Sequence, residues 1–379
     1  MSAGWTSESV RRFVTVDMRA AVVPWAVARV LVIGTLALAR FAFDETGTGA
    51  ERPVQLGQGL FAWDAAFNRD IAEDGYASLP RSALRFFPLY PLFGRALGFV
   101  LVHHTAFALL VIANGSALLF GALLHRLALR ETGDRGLAHR AAWFAAVFPV
   151  AMVLVMGYAE ATFLVFAVGA FLALRSSRFL PAAGLGALAA LTRPAGLLLI
   201  VPAALEAARG WRGQPLRNLV TRAAAVVAPA VGMGAYLAWV GHTDGDAFLP
   251  LRLQSDPSRR GGFDDPFTRS IEAVGDLIDG DRFGSGLHVV WAAVFVALLV
   301  VLIRRFPASY SWYAGVSLVV LLSARNLDSF ERYAMSTFPF LLALAMVTRP
   351  QEAERAAISL SAAGLVGYSV LAFFGVYVP

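Results

Sequence analysis

The chain has 379 residues, of which 58% are hydrophobic and 15% charged, with a mean hydropathy of +0.63. Soluble domains carry roughly 45–50% apolar and about 25% charged residues, so this composition excludes an ordinary soluble fold and points to a bilayer. The net charge of +6 comes from basic residues that are all arginine, set in small groups between apolar runs, which excludes the continuous basic face of a nucleic-acid-binding protein.

Arg11, Arg12 and Arg19 precede an apolar run over 22–43 that is long enough to cross roughly 30 Å of hydrocarbon. Ala37-Leu38-Ala39 suits a leader cleavage site, but the run is too long for a cleaved signal and reads as an uncleaved signal anchor. The positive-inside rule then puts the N-terminus in the cytoplasm and the polar stretch 44–85 outside. Residues 86–102 hold Pro88, Pro91 and Arg95 and read as an amphipathic helix on the outer interface, because a span there would turn the later arginine-rich connections outward. Spans follow near 105–124, 141–157, 160–174, 179–192, 195–208, 218–240, 287–303, 309–324, 333–347 and 356–376. That arrangement sets 17 arginines against seven acids on the cytoplasmic side. The expected fold is one all-α, multi-pass domain of the cell membrane, 1–379, with about 11 crossings. Two long extracytoplasmic loops, 44–104 and 241–286, exceed what connection demands, so the chemistry is expected there. Thr-Arg-Pro occurs at both 192–194 and 348–350, but on this topology the two lie on opposite sides and are not equivalent.

In the first loop Trp63-Asp64 is followed by Asp70, Glu73 and Asp74, which helical spacing makes neighbours. A tryptophan face suits a sugar ring, and an aspartate can accept a hydroxyl proton. The same pair also suits an interfacial anchor and a helix N-cap. Arg81 and Arg85 offer donors to a lipid phosphate or to anionic headgroups. Tyr158, Glu160 and Arg193 fall at outer helix ends. The two helices flanking Arg193 have about 14 residues each, roughly 21 Å, so its charge lies below the headgroups and calls for a wet cavity or a partner such as Glu160. Asp244-Gly245-Asp246 has the look of paired metal-binding acids and equally of a turn. The six histidines form no ligand cluster, so no metal is expected. Arg325, Asp328, Glu331, Arg332 and Tyr333 mark the mouth of the last helices, where they can hold phosphate or sugar hydroxyls or anchor the chain. With no cysteine, thiol nucleophiles and disulfides are excluded.

Several fragments recur in a known order. They are Trp63-Asp64 with Ile71-Ala72 and Gly75-Tyr76, then Phe87-Pro88-Leu89-Tyr90-Pro91-Leu92, Tyr158-Ala159-Glu160, and Leu191-Thr192-Arg193-Pro194 with Gly196. Gly245-Asp246, Phe248 and Gln254 follow, then Arg332-Tyr333 with Phe338-Pro339. Over 61–340 the chain thus resembles the PIG-V mannosyltransferase family, within the GT-C group of polyprenyl-phosphate-sugar-dependent glycosyltransferases. Ala159 departs from the family's usual Tyr-Ser-Glu. The resemblance implies a GT-C-like fold, a polyprenyl-phosphate mannose donor drawn from membrane lipid, a glycolipid, polymer or protein acceptor, and inverting transfer outside the membrane without a cofactor. It marks Asp64 as the catalytic base; from the residue chemistry above, Trp63, Arg85, Tyr158, Glu160, Arg193, Asp246, Arg332 and Tyr333 are expected around the substrate. Arg193, Arg332 and Arg85, in that order, are expected to stabilise the departing phosphate. The competing expectation is a lipid-linked-sugar flippase or transporter, but such proteins keep their ionisable residues near the midplane, whereas here they crowd the outer loops.

Overall fold

The computed structural model describes residues 11–46, 51–256, 261–279 and 285–379; Glu8 and parts of both expected loops, 47–50, 257–260 and 280–284, lie outside the described residues. Helix α1 (Met18–Glu45) is preceded by a π-helical turn, Phe13–Asp17. Three short helices follow: α2 (Val54–Gln58), α3 (Asp64–Asp74) and α4 (Leu89–Val100). Then come α5 (Thr105–Thr132), α6 (Arg135–Val147), α7 (Glu160–Arg175), α8 (Phe179–Thr192) and α9 (Ile200–Ala208). The remainder is α10 (Leu216–Asp244), α11 (Leu249–Gln254), α12 (Pro266–Ile278), α13 (Ser285–Arg305), α14 (Ala308–Leu322), α15 (Phe330–Ser336), α16 (Pro339–Val347) and α17 (Gln351–Phe373). Among the described residues there is no strand, only an isolated bridge between Phe263 and Ala324.

Helices α1, α5, α10, α13 and α17 are long and apolar enough to cross a membrane, and shorter apolar helices pack among them. The chain is therefore an all-helical, polytopic membrane protein. Its main core lies where α1, α5, α6, α7, α13, α16 and α17 meet. Helices α8 and α10 form an extensive pair. They approach so closely at Gly232 that a Cβ there would stand 2.3 Å from the Ala187 carbonyl oxygen.

Two expected spans are interrupted and a third changes its helical geometry. The one near 141–157 begins early and ends at Val147, because Pro149 lacks an N–H and forces Phe148 into an extended conformation. The chain continues through a buried 3₁₀ turn, Ala151–Leu154, whose freed carbonyls need new donors. Arg29 Nη2 reaches Leu154 O at 2.8 Å, and Asn114 Nδ2 reaches Val155 O at 3.0 Å. The span near 195–208 is a 3₁₀ helix, Pro194–Leu199, followed by α9. The span near 333–347 is broken at Thr337, ahead of Pro339, into α15 and α16. Other helices run longer than expected: α5 passes 124 to reach Thr132, α10 extends to Asp244, and α1 and α13 exceed their expected spans at both ends.

The expected loops are themselves folded. Between α1 and α5 the chain forms α2, α3, α4 and short 3₁₀ turns, while 241–286 contains α11 and α12. At 12 residues, roughly 18 Å, α4 is too short to cross a bilayer. Its Arg95 donates to the carbonyls of Ala72 at 2.8 Å and Ile71 at 3.3 Å, which caps the C-terminal end of α3 and fastens the two helices together.

Candidate active site

Helix α3 starts at Asp64, directly after Trp63, whose φ of 60° lies in the left-handed region. That conformation costs a tryptophan about 1–3 kcal/mol, so the surroundings must hold it. They do so through the indole, whose Nε1 donates to Ala372 O at 3.0 Å, and through the nearby bond from Gly157 N–H to Leu60 O at 3.0 Å. The second bond joins the first expected loop to the irregular segment after Pro149, and so carries Tyr158 and Glu160 towards Asp64.

The Asp64 side chain does not cap its helix. Instead Oδ2 accepts from Arg332 Nη1 at 2.9 Å. Arg332 is buried in α15; its Nη2 donates to Tyr333 Oη at 2.7 Å, and its Nη1 lies 3.5 Å from Glu160 Oε1. Glu160 opens α7 and also pairs with Arg193 Nη1 at 3.1 Å. Asp64, Arg332, Glu160 and Arg193 thus alternate in sign along one chain of contacts, which is how buried charge is best compensated. Aromatic faces complete the enclosure. The Arg332 guanidinium lies 4.5 Å from the Tyr333 ring centre and 5.4 Å from that of Tyr158, and Arg193 lies 5.0 Å from Tyr333. Side-chain exposure falls from 29% at Asp64 to 11% at Arg193 and 3% at Glu160.

A cavity of about 430 Å³ opens onto Asp64, Glu160 and Arg193, within the range of roughly 300–1,000 Å³ usual for small-molecule sites. Its opposite walls are largely apolar, supplied by residues such as Met233, Val320 and Leu321. The chain beside each of these irregularities borders it, through Tyr158, Arg193 and Thr337. Irregular backbone at membrane depth is tolerated where it is buried in protein or lines such a space. Arg85 also faces the cavity, with its guanidinium 4.6 Å from the Phe86 ring centre and 5.3 Å from that of Phe67. Tyr76 Oη donates to Phe86 O at 2.6 Å and Tyr236 Oη to Leu84 O at 2.6 Å, fastening the backbone on both sides of Arg85. Burial, reinforced by Tyr236, pushes the Tyr76 phenol well above its ordinary range and keeps it a neutral donor.

Of the positions expected from sequence, Asp64, Arg85, Tyr158, Glu160, Arg193 and Tyr333 border this one cavity. Arg332 stands behind Asp64 and is committed to it and to Tyr333, so it orients the carboxylate rather than facing the cavity. Trp63 and Asp246 do not line the cavity. The Trp63 indole is held against the C-terminal end of α17. Asp246 accepts from Phe248 N–H at 3.1 Å and pairs with Arg252, the work of a turn that starts α11. Glu331, expected at the mouth, is instead fully buried against His288 Nδ1, with O···N distances of 2.8 and 2.9 Å.

Asn68 was not anticipated. It is buried, lines the cavity one helical turn beyond Asp64, and donates to Gly157 O at 3.3 Å. Its i,i+4 spacing from Asp64 was the available signal. Ser336, which accepts from Arg193 Nη1 at 3.4 Å, and Tyr313 of α14 had no comparable local signature. Among the described residues no group of three His, Asp or Glu side chains is placed to hold a metal ion. Comparison with models of known protein families gives no match, and no curated protein matches the chain.

Proposed function

We propose that this protein is an integral-membrane glycosyltransferase that moves mannose from a polyprenyl-phosphate donor to a hydroxyl on a glycolipid, polymer or protein acceptor at the extracytoplasmic face. The observation that carries the reading is that a carboxylate, Asp64, and a guanidinium, Arg193, share one cavity whose remaining walls are largely apolar. That combination suits a substrate with a sugar, an anionic phosphate and a hydrocarbon tail.

In the reaction Asp64 takes the proton of the acceptor hydroxyl while that oxygen attacks the anomeric carbon from the face opposite the phosphate. The new C–O bond forms as the bond to the phosphate oxygen breaks, and the electron pair leaves with polyprenyl phosphate, inverting the anomeric centre. The leaving group needs no proton, so Arg193 and Arg85 stabilise its charge directly. Arg332 holds Asp64 Oδ2, which fixes the carboxylate in one orientation.

The test is transfer of radiolabel from polyprenyl-phosphate mannose to endogenous acceptors in membranes, comparing wild type with Asp64→Asn at matched expression and matched thermal stability. Asparagine keeps an acceptor for Arg332 but not the base, so transfer should fall about 10²–10⁴-fold. Undiminished labelling removes Asp64 from the chemistry. Loss of lipid-sugar translocation with no donor consumed in either protein replaces the enzyme with a flippase.

A further inference from the structure

Helix α12 (Pro266–Ile278) has a surface that neither the bundle nor the cavity uses. Its start is well defined: Asp265 accepts from Thr268 N–H at 2.7 Å and Pro266 occupies the first turn. At 13 residues, roughly 20 Å, it is too short to cross a bilayer.

At 100° per residue the helix divides into three sectors. Ala273 is fully buried, and Ser270 and Leu277 flank it on the side turned to the protein, where α12 packs against α13 and α14. Thr268, Glu272 and Asp279 form an exposed polar sector. Phe267, Ile271, Val274 and Ile278 fall within an arc of about 60° and are exposed by 80%, 73%, 44% and 78%. Single exposed hydrophobes are ordinary, but four aligned on one short helix make a patch that something must cover. Packed on one side, polar on the second and apolar on the third, the helix has the form of one lying in a membrane interface.

We propose that α12 rests in the bilayer surface, with Phe267, Ile271, Val274 and Ile278 buried among acyl chains near the headgroups. The identity of the occupant follows from continuity. The next helix, α13, is one of the membrane-crossing set, and the lateral faces of α13 and α14 carry exposed Val290, Val294, Val296 and Val319. Helix α12 packs directly on both of them, so its exposed apolar sector stands beside theirs. The one cation of α12, Arg269, is engaged with Glu272 Oε2 at 2.8 Å and Asp276 Oδ2 at 3.6 Å, so apolar burial rather than attraction to anionic headgroups holds the helix down.

This placement does not rest on glycosyl transfer, but it sets the level of the cavity. The strand-like residues just before α12 are tied to the end of α14 by Asp264 N–H to Ser323 O at 2.7 Å and Arg325 N–H to Gly262 O at 3.3 Å. Gly262 and Phe263 line the cavity. Its rim therefore sits at the lipid surface, where a lipid substrate reaches it without leaving the bilayer.

The chain has no cysteine, so single spin labels report cleanly. Labels at Phe267→Cys, Ile271→Cys and Ile278→Cys are compared with labels at Thr268→Cys and Glu272→Cys in phosphatidylcholine nanodiscs. The ratio of oxygen to nickel-chelate accessibility should be severalfold higher in the first set. Equal ratios in both sets would place the apolar face in water and overturn the proposal. Shielding of the first set from both reagents, with dipolar broadening between labels, would assign the face to a second copy of the chain and overturn it too. Each replaced side chain is exposed, and three positions carry the same reading, so the loss of one variant to misfolding leaves the test intact.

Discussion

Helix α7 has an arginine–carboxylate network at each of its ends, about 22 Å apart, and the two are built from similar parts. At the C-terminal end Arg175 donates to Glu131 Oε1 at 3.0 Å and to Glu206 Oε1 at 3.2 Å. Glu206 also takes Ser309 Oγ at 2.6 Å and Arg209 at 3.0 Å. At the N-terminal end stand Asp64, Arg332, Glu160 and Arg193. The first network is closed: its two acids are buried under several donors, and none of its members lines the cavity. The second is open, because its outermost carboxylate and one of its guanidiniums face empty space. Clustered charge in a membrane protein is therefore a weak sign of function by itself. A charge network left open onto a cavity is a stronger one.

Removing the buried hub of the open network should have the largest effect. Arg332→Met leaves Asp64 and Glu160 without their shared partner and should cost about 3–5 kcal/mol, read as lowered resistance to heat or denaturant in detergent. Adding Asp64→Asn to that variant should recover part of the loss, since one uncompensated charge disappears. A wild-type melting profile for Arg332→Met would show that the alternating chain of charges does not hold this end together.

A matched pair of conservative changes sharpens the contrast between the ends. Lysine keeps the charge of arginine and loses its fork of donors. On the proposed function, Arg193→Lys should lower mannose transfer about 10²-fold at nearly unchanged thermal stability, because one donor to the departing phosphate is lost. Arg175→Lys should do the reverse, lowering stability while leaving transfer per folded molecule intact. If both variants lose stability alone, the two networks are equivalent and the cavity is not where the chemistry occurs.

The smallest expected effect is at Trp63. Trp63→Phe removes the bond to Ala372 O and should cost about 1 kcal/mol, with transfer close to wild type. A collapse of transfer without destabilisation would return the indole to the substrate, as the sequence had suggested.

Much of the architecture could be read from the chain. Apolar runs located every long helix, and 179–192 matched α8 from end to end. The breaks that hydropathy missed fall at prolines inside apolar stretches. Hydropathy averages over Pro149 and Pro339, while the backbone breaks beside them because a hydrogen bond is missing and the preceding residue is pushed from the helical region. The candidate site was legible as residue types in order, since Glu160 and Arg193 are costly in a bilayer and Asp64 directly follows Trp63 in the first outer loop. The position of Arg332 behind Asp64 was not legible, because its sequence placed it with Tyr333 at the mouth of the last helices and showed nothing of the distant Asp64. The three sectors of α12 were hidden within a segment that looked only polar.

What the sequence by itself determined is the medium and the material: a lysine-free, strongly apolar chain whose helices sit in lipid, with a small stock of ionisable groups able to do chemistry. What only the tertiary structure decided is which of those groups meet. Asp64 and Arg332 are 268 positions apart, and their pairing depends on a left-handed Trp63, a helix that ends ahead of Pro149 and a second break ahead of Pro339. Local propensity acts over a few residues, whereas compensation of buried charge acts through space, so the partners of a charge emerge only when the whole bundle closes around it.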